Sequence, residues 1–324
     1  MKKGELGKSI VMNGVLAAFY FAAALFGLQF TVADNFATLI WPSTGIAFAA
    51  IFLFGYRVWP GIFIGAFAAF WITGAPPLMA LTIALGNTLE AVLGAFVSYK
   101  AGFQATFKRM RDIIPFVIFG AIGATALSAF IGVKSLWLGN IGLTESFFET
   151  WRAWWFGNML GALIFTPFIL IWRRDHNIKL WRKQAWEAIG VVMFFLIIAL
   201  FVFGFVYSSF ADTAPVAYLL FLPIIWVAIR FGQREIATII FLFAAVLPLG
   251  TLLGIGPFVY LAISESLLFL QVFMAVLSIT GLVLATVMRE RKETQQKYTE
   301  HIINEKEHVE NILKSLSEGL IVIN

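Results

Sequence analysis

The chain has no cysteine, which removes disulfides, thiolate metal sites and a cysteine nucleophile from the readings open to it. Histidine is nearly as scarce, with three residues in 324. His301 and His308 stand in His-Ile-Ile-Asn and His-Val-Glu-Asn, neither of which resembles a kinase phosphoacceptor box, and read as solvated positions on a polar helix; His176 belongs to a basic loop. No ATP-binding or diguanylate cyclase motif occurs, so no catalytic residue is assigned, no metal or cofactor is expected, and the enzyme question passes to whatever protein carries this chain. Charge is also in short supply. Only 13% of residues are charged against 60% hydrophobic, with a mean hydropathy of +0.89. A soluble domain of this size would hold more apolar surface than one core can bury, so lipid must cover the remainder.

The charge that is present is arranged. Of the 23 Lys and Arg residues, all but Lys134 and Arg152 lie in the N-terminal tail or in alternate loops: Arg57, Lys100 to Arg111, Arg173 to Lys183, Arg230 with Arg234, and Arg289 onward. Short basic loops beside apolar spans mark the cytoplasmic side of a membrane protein. The net charge of +5 is therefore a topology signal, and no nucleic-acid partner is expected. The first span is long and lacks a small-residue cleavage site, so it reads as a retained helix. The expected fold is an all-α polytopic bundle with both ends in the cytoplasm.

About ten spans satisfy hydropathy and charge alternation: 9–31, 40–55, 58–73, 77–98, 113–134, 149–171, 187–208, 214–230, 235–252 and 264–288. Spans two, three, eight and nine are short for crossing roughly 30 Å of hydrocarbon. Phe54-Gly55-Tyr56-Arg57 and Phe231-Gly232-Gln233-Arg234 form similar hairpins, each after a span containing proline (Pro42, Pro223), which raises a parallel repeat of spans one to four as one reading and convergent turn chemistry as the other.

The composition divides the chain into an integral-membrane region, 1–288, a polar helical linker, 289–316, and a terminal stretch, 317–324. In the linker Ile302, Val309 and Leu316 recur at one heptad position and Ile312 at the other, a seam suited to a parallel homodimeric coiled coil; a single amphipathic surface helix is the alternative. Gly319 is expected to end the helix, and Leu320-Ile-Val-Ile-Asn324 has strand character. A lone strand is not stable, so these residues read as the opening of a cytoplasmic domain.

Polar residues inside the spans are few. Asn87 and Glu90 share a face of span four, and a carboxylate at that depth must be protonated, paired or turned to a wet cavity, which makes it a functional candidate. Span six carries Trp151, Trp155 and Asn158 on one face, with Arg152 near its outer end, one turn from Glu149. Trp41, Ser43 and Thr44 open span two from the outer side, and Glu265 and Gln271 lie in the outer half of span ten. The candidate ligand-binding set is therefore Trp41, Ser43, Thr44, Asn87, Glu90, Arg152, Trp155, Asn158, Glu265 and Gln271. The competing reading of each is packing or interfacial anchoring.

Trp41-Pro-Ser-Thr-Gly-Ile-Ala47, Gly55-Tyr-Arg-Val-Trp-Pro-Gly61, Gly86-Asn-Thr-Leu-Glu-Ala91, Trp154-Trp-Phe-Gly-Asn158 with Gly161 and Pro167, and Pro223-Ile-Ile-Trp226 with Arg230-Phe-Gly232 occur in this order. Together they resemble the type-one membrane-associated sensor domain of the bacterial MASE group, over about residues 10 to 292. The family often carries Asp where this chain has Asn158. The resemblance implies an input module placed ahead of PAS domains and a histidine kinase or diguanylate cyclase, and Ile312 to Asn324 look like the opening of a PAS domain. The expected function is detection of a small ligand or membrane-associated stimulus, relayed through the last span. A small-solute transporter and a passive membrane anchor for an enzyme are the alternatives.

Overall fold

The computed structural model describes residues 3–33, 37–139, 146–174, 186, 189–190, 193–198, 214–259 and 263–321. Within them the chain is a bundle of helices with one short antiparallel hairpin, β1 (Thr31–Ala33) and β2 (Ala37–Thr38). The helices are α1 (Lys3–Leu28), α2 (Pro42–Phe54), α3 (Trp59–Ile72), α4 (Pro77–Lys100), α5 (Met110–Pro115), α6 (Thr125–Leu138), α7 (Phe147–Arg174), α8 (Phe221–Arg230), α9 (Gln233–Leu252) and α10 (Ile263–Ile321). Proline occupies the first turn of α2, α3 and α4, where its missing N–H costs nothing and its fixed φ favours the helix.

Among the described residues six helices are long and apolar enough to span a membrane: Glu5–Leu28, Pro77–Lys100, Met110–Leu138, Phe147–Arg174, Gln233–Leu252 and Glu265–Leu313. Three shorter apolar helices, Pro42–Phe54, Tyr56–Ile72 and Ala217–Arg230, fall where short spans two, three and eight are expected. Span nine is a full 20 residues because α9 begins at Gln233, so it does not belong among the short ones. Span seven, 187–208, lies largely outside the described residues. The two glycine hairpins also differ. Gly55 sits at φ 78, a left-handed turn that glycine adopts without strain, whereas Gly232 is extended at φ 174; their resemblance in sequence does not extend to the backbone.

Helix α7 is the hub. Its apolar window is 72% buried against 22% for α1, because among the described residues α7 packs on α2, α6, α9 and α10 while α1 packs mainly on α2 and α3. The α2–α7 contact is made backbone to backbone through Gly45, Gly157 and Gly161. A methyl group at Gly161 would overlap the Trp41 carbonyl, and one at Gly45 the Gly161 carbonyl. The Trp41 N–H donates to the Gly157 carbonyl at 2.9 Å. Small residues permit this approach where lipid supplies no hydrophobic drive between helices. On the other side of the bundle Asn13 of α1 accepts from Gly61 N–H at 2.8 Å and donates to the Arg57 carbonyl at 3.2 Å, fixing α1 to the turn before α3.

Span five is not a plain α-helix. After Pro115, whose ring cannot donate to the preceding turn, residues Phe116–Ala124 wind as a π-helix before α6 begins. Two indoles of α7 donate to carbonyls around its far end: Trp155 Nε1 to Ile122 at 3.0 Å and Trp151 Nε1 to Ala126 at 3.1 Å.

Helix α10 runs for 59 residues, from the last span through the change of composition at Arg289 and on past Gly319 to Ile321. The helix end expected at Gly319 is therefore displaced: a helical glycine costs only about 1 kcal/mol relative to alanine, and the preceding helix carries through it. Residues 322–324 of the expected strand lie outside the described residues. Along the linker Ile302, Val309 and Ile312 are about half exposed.

Candidate functional site

Five helices bring polar side chains to one place near the middle of the bundle. From α4, Glu90 Oε2 accepts a hydrogen bond from Asn158 Nδ2 of α7 at 2.9 Å. One turn earlier, Asn87 Oδ1 accepts from Ser128 Oγ of α6 at 3.0 Å. Glu90 also faces Ser128 and, from α2, Thr44. From α1, the Tyr20 hydroxyl faces the Trp41 indole and the Asn87 amide, with Glu90 close enough to act on it electrostatically. All are buried: Glu90 and Asn158 are each 1% exposed and Tyr20 is fully covered.

The hydrogen-bond inventory of this cluster is incomplete. Tyr20 Oη, Trp41 Nε1, Thr44 Oγ1, Asn87 Nδ2, Glu90 Oε1 and Asn158 Oδ1 are all buried without a partner. A buried polar atom left unpaired costs about 1–3 kcal/mol, more for a charged one; here the atoms face one another, Tyr20 Oη beside Trp41 and Asn87 and Thr44 beside Glu90, without reaching bonding geometry.

The sequence-predicted residues divide accordingly. Trp41, Thr44, Asn87, Glu90 and Asn158 converge here. Ser43 is adjacent, but its hydroxyl donates to the Tyr20 carbonyl at 3.0 Å and serves to dock α2 on α1. Gln271 lies beside the cluster: its Nε2 donates to the Leu39 carbonyl at 3.1 Å and to the Ala153 carbonyl at 3.5 Å, tying the last span to the segment leading into Trp41 and to α7. Trp155 turns away, stacks on Trp151 with ring centroids 5.0 Å apart, and bonds the π segment. Arg152 is half-buried. Its expected partner, Glu149, is used otherwise: Glu149 Oε2 accepts from Ser146 N at 3.1 Å and Ser146 Oγ at 2.9 Å while Ser146 Oγ accepts from Glu149 N–H at 3.3 Å, a capping box at the start of α7 with Arg152 acting on the carboxylate only through its field. Glu265 is exposed in the first turn of α10. Tyr20 and Ser128 are members that the sequence reading missed. Their signal was present, since each is a hydroxyl at mid-span depth, but choosing them over other span hydroxyls such as Thr125 requires knowing which helix faces which.

A second buried polar region lies where the basic loops gather. Gln233, the first residue of α9, donates through Nε2 to Thr286 Oγ1 of α10 at 2.7 Å and to the Phe107 carbonyl. Its Oε1 accepts from Arg174 Nη2 of α7 at 3.3 Å and Arg289 Nη1 of α10 at 3.4 Å. The 101–109 loop is held by Asp112, whose Oδ2 accepts from Thr106 Oγ1 at 2.7 Å, Lys108 N at 3.1 Å and Arg109 N at 3.2 Å. Met110 N donates to Glu290 Oε1 at 3.2 Å, and Arg174 Nη1 to the Thr106 carbonyl. Phe107 has a left-handed backbone, φ 52, a conformation costing a non-glycine residue about 1–2 kcal/mol; its carbonyl is the acceptor shared by Gln233 and Thr286. Gln233 thus ties α9 to three segments, α7, α10 and the 101–109 loop, around the point where α10 passes from span to linker. Between the two polar regions stand Phe48, Phe52, Phe103, Phe107 and Phe116 in mutual ring contact, from 4.5 Å between Phe52 and Phe103 to 5.9 Å between Phe52 and Phe116.

Comparison with known proteins returns one family: the MASE1 model matches residues 12–292. No curated protein and no solved structure matches the chain.

Proposed function

Since the chain belongs to the MASE1 family of membrane-associated sensor domains, we propose that it is the input module of a bacterial signalling protein, sensing at the Glu90 cluster and relaying along α10. The observation that carries this reading is the gathering of Tyr20, Trp41, Thr44, Asn87, Glu90 and Asn158, all with unspent hydrogen-bonding atoms, beside a helix that leaves the bundle as a single 59-residue rod. A stimulus acts on such a bundle only by stabilising one packing over another. Two links join the cluster to α10. Gln271 connects it to Leu39 and hence to Trp41. The phenylalanine stack runs from Phe48, under Gly94 of α4, to Phe107 and the Gln233 clasp.

In this reading the domain sits in the inner membrane with ten spans, and both ends lie in the cytoplasm. Two copies pair through the linker, with Ile302, Val309 and Ile312 as the seam, and a PAS domain followed by a histidine kinase or diguanylate cyclase receives the signal. Cysteines at 302 and 309 are expected to cross-link between protomers well above cysteines at 306 and 310, which lie off the seam. Equal cross-linking at all four positions removes the paired helix.

The sensing role is tested in the protein that carries this domain, with its output measured in membranes. Glu90→Gln and Asn158→Ala are expected to insert and dimerise normally yet fix the output on or off. A transporter would show the same variants abolishing solute uptake, and a passive anchor would leave regulated output intact. Normal response in both variants rejects the site.

A further inference from the structure

The arginines that gather where α7 ends and α9 begins are of two kinds. Arg174 and Arg289 are engaged inside the protein, both by Gln233 and Arg174 also by the Thr106 carbonyl. Arg173 and Arg234 rest on rings instead. The Arg234 guanidinium lies 4.1 Å from the centroid of the Trp172 ring, and that of Arg173 lies 5.6 Å from the centroid of Phe54. Among the described residues neither guanidinium has a carboxylate partner or a hydrogen bond, and Arg234 Nε is buried without one. Trp172 is a fixed platform: its Nε1 donates to Thr238 Oγ1 at 3.0 Å, and that hydroxyl donates to the Arg234 carbonyl at 2.8 Å. A guanidinium laid flat on a ring keeps N–H groups along its edge, and that fork matches a phosphate. Trp172 and Arg173 are consecutive, so the two cations stand side by side at one end of α7.

From this end an aromatic strip runs into the span. Trp172 meets Phe168 with ring centroids 5.7 Å apart, and Phe168 stacks on Phe241 of α9 at 4.4 Å. All three rings are half-buried. Phe243, two positions on and so on the opposite flank of α9, is instead fully buried and packs on Phe195. At 1.5 Å per residue Phe168 lies about 8 Å inside Arg173, and Phe241 about 10 Å inside Arg234. Both helices therefore set a cation at the rim and a ring at the same depth below it.

We propose that this rim of α7 and α9 binds an anionic phospholipid, its headgroup phosphate between Arg173 and Arg234 and an acyl chain along Phe168 and Phe241. The assignment is independent of the sensing role of the Glu90 cluster. Two cations without a carboxylate complement an anion, and the partly uncovered rings that continue from them complement a chain attached to it, which a free phosphate lacks. Lys100 belongs to the same basic side and also lies over a ring, Phe96 at 5.8 Å, but it is a single ammonium at the end of α4 and has no fork.

The test uses the whole chain, stripped of lipid in a neutral detergent and titrated with phosphatidylglycerol, with phosphatidylcholine of the same chains, and with glycerol phosphate. Binding is read by native mass spectrometry and by the shift in thermal unfolding. Phosphatidylglycerol is expected to bind about tenfold or more tightly than phosphatidylcholine and to raise Tm, and glycerol phosphate to give no shift. Arg173→Gln, at an exposed position, and Arg234→Gln should each remove most of that preference. Arg234→Lys should keep only part of it, and Lys100→Gln, which takes an equal charge from the same side, should leave it unchanged. Equal binding of the two lipids overturns the assignment, as does full preference in Arg173→Gln. An equal loss in Lys100→Gln would mean a diffuse basic rim with no site, and a shift with glycerol phosphate as large as with the lipid would replace the lipid by a soluble phosphate compound; either result also overturns it.

Discussion

The two buried polar regions are built from similar residues and do opposite things with them. Around Gln233, both ends of one amide are engaged, by Thr286 and Phe107 on one side and by Arg174 and Arg289 on the other, and the neighbouring Asp112 leaves only its Oδ1 without a partner. Around Glu90, each amide spends one end and keeps the other. A satisfied buried network fixes a geometry, whereas a partly satisfied one carries a penalty that only something further can relieve. The difference separates a region whose pairing holds helices in place from one whose pairing is left incomplete, although neither contains a catalytic motif.

That contrast is open to attack at three points. The greatest loss is expected from Gly161→Ala, which sets a methyl group against the Trp41 carbonyl on which the Glu90 cluster is framed. Because the obstacle is backbone, α2 must move off α7, and a destabilisation of about 3 kcal/mol or more is expected, measured as loss of monodisperse protein after solubilisation and a lowered unfolding temperature. A wild-type profile would mean that the α2–α7 contact does not set the cluster's geometry. Gln233→Ala comes next. It leaves the Thr286 hydroxyl and the Phe107 carbonyl only their long 3.4 Å bond to each other and takes an acceptor from two guanidinium groups, with an expected cost of about 2–3 kcal/mol and faster hydrogen exchange in both the 101–109 loop and the start of the linker. Exchange confined to one of them would show that the clasp does not couple the two. The smallest effect on stability is expected from Glu90→Gln. It keeps the shape, replaces a buried carboxyl group by a neutral amide, and should leave stability unchanged or raise it by about 1 kcal/mol. If it destabilises as strongly as Gln233→Ala, the two regions are alike and the Glu90 cluster is packing.

Much of the candidate site was legible beforehand for a simple reason: in an apolar span each polar residue is conspicuous because lipid makes it expensive. Asn87, Glu90 and Asn158 stand out on those grounds, and Trp41 and Thr44 through the turn that opens α2. The same rule also selects residues that the structure places outside the cluster. Trp155, Arg152 and Glu265 are equally conspicuous, yet a Trp at a helix crossing, an Arg half out of the bundle and a Glu in a first turn have local uses that a linear pattern does not distinguish from binding. It also under-selected Gln233, because a glutamine at the start of a span looks like ordinary interfacial polarity until the 101–109 loop and α10 are seen to close on it.

The sequence by itself determined that this is a multi-pass helical membrane domain with a polar helix continuing from its last span, since hydropathy and composition are read residue by residue along the chain and need no partner. The tertiary structure decided which faces meet, that α7 is the centre and α1 the margin, and that Gly161 and Gly45 let two backbones touch. It also decided that Tyr20, 70 positions before Glu90 in the chain, joins its buried polar cluster. Those outcomes depend on helix rotation and close packing, which in a membrane are set by side-chain shape and interhelical hydrogen bonds between distant segments, and no single stretch of sequence contains both halves of such a contact.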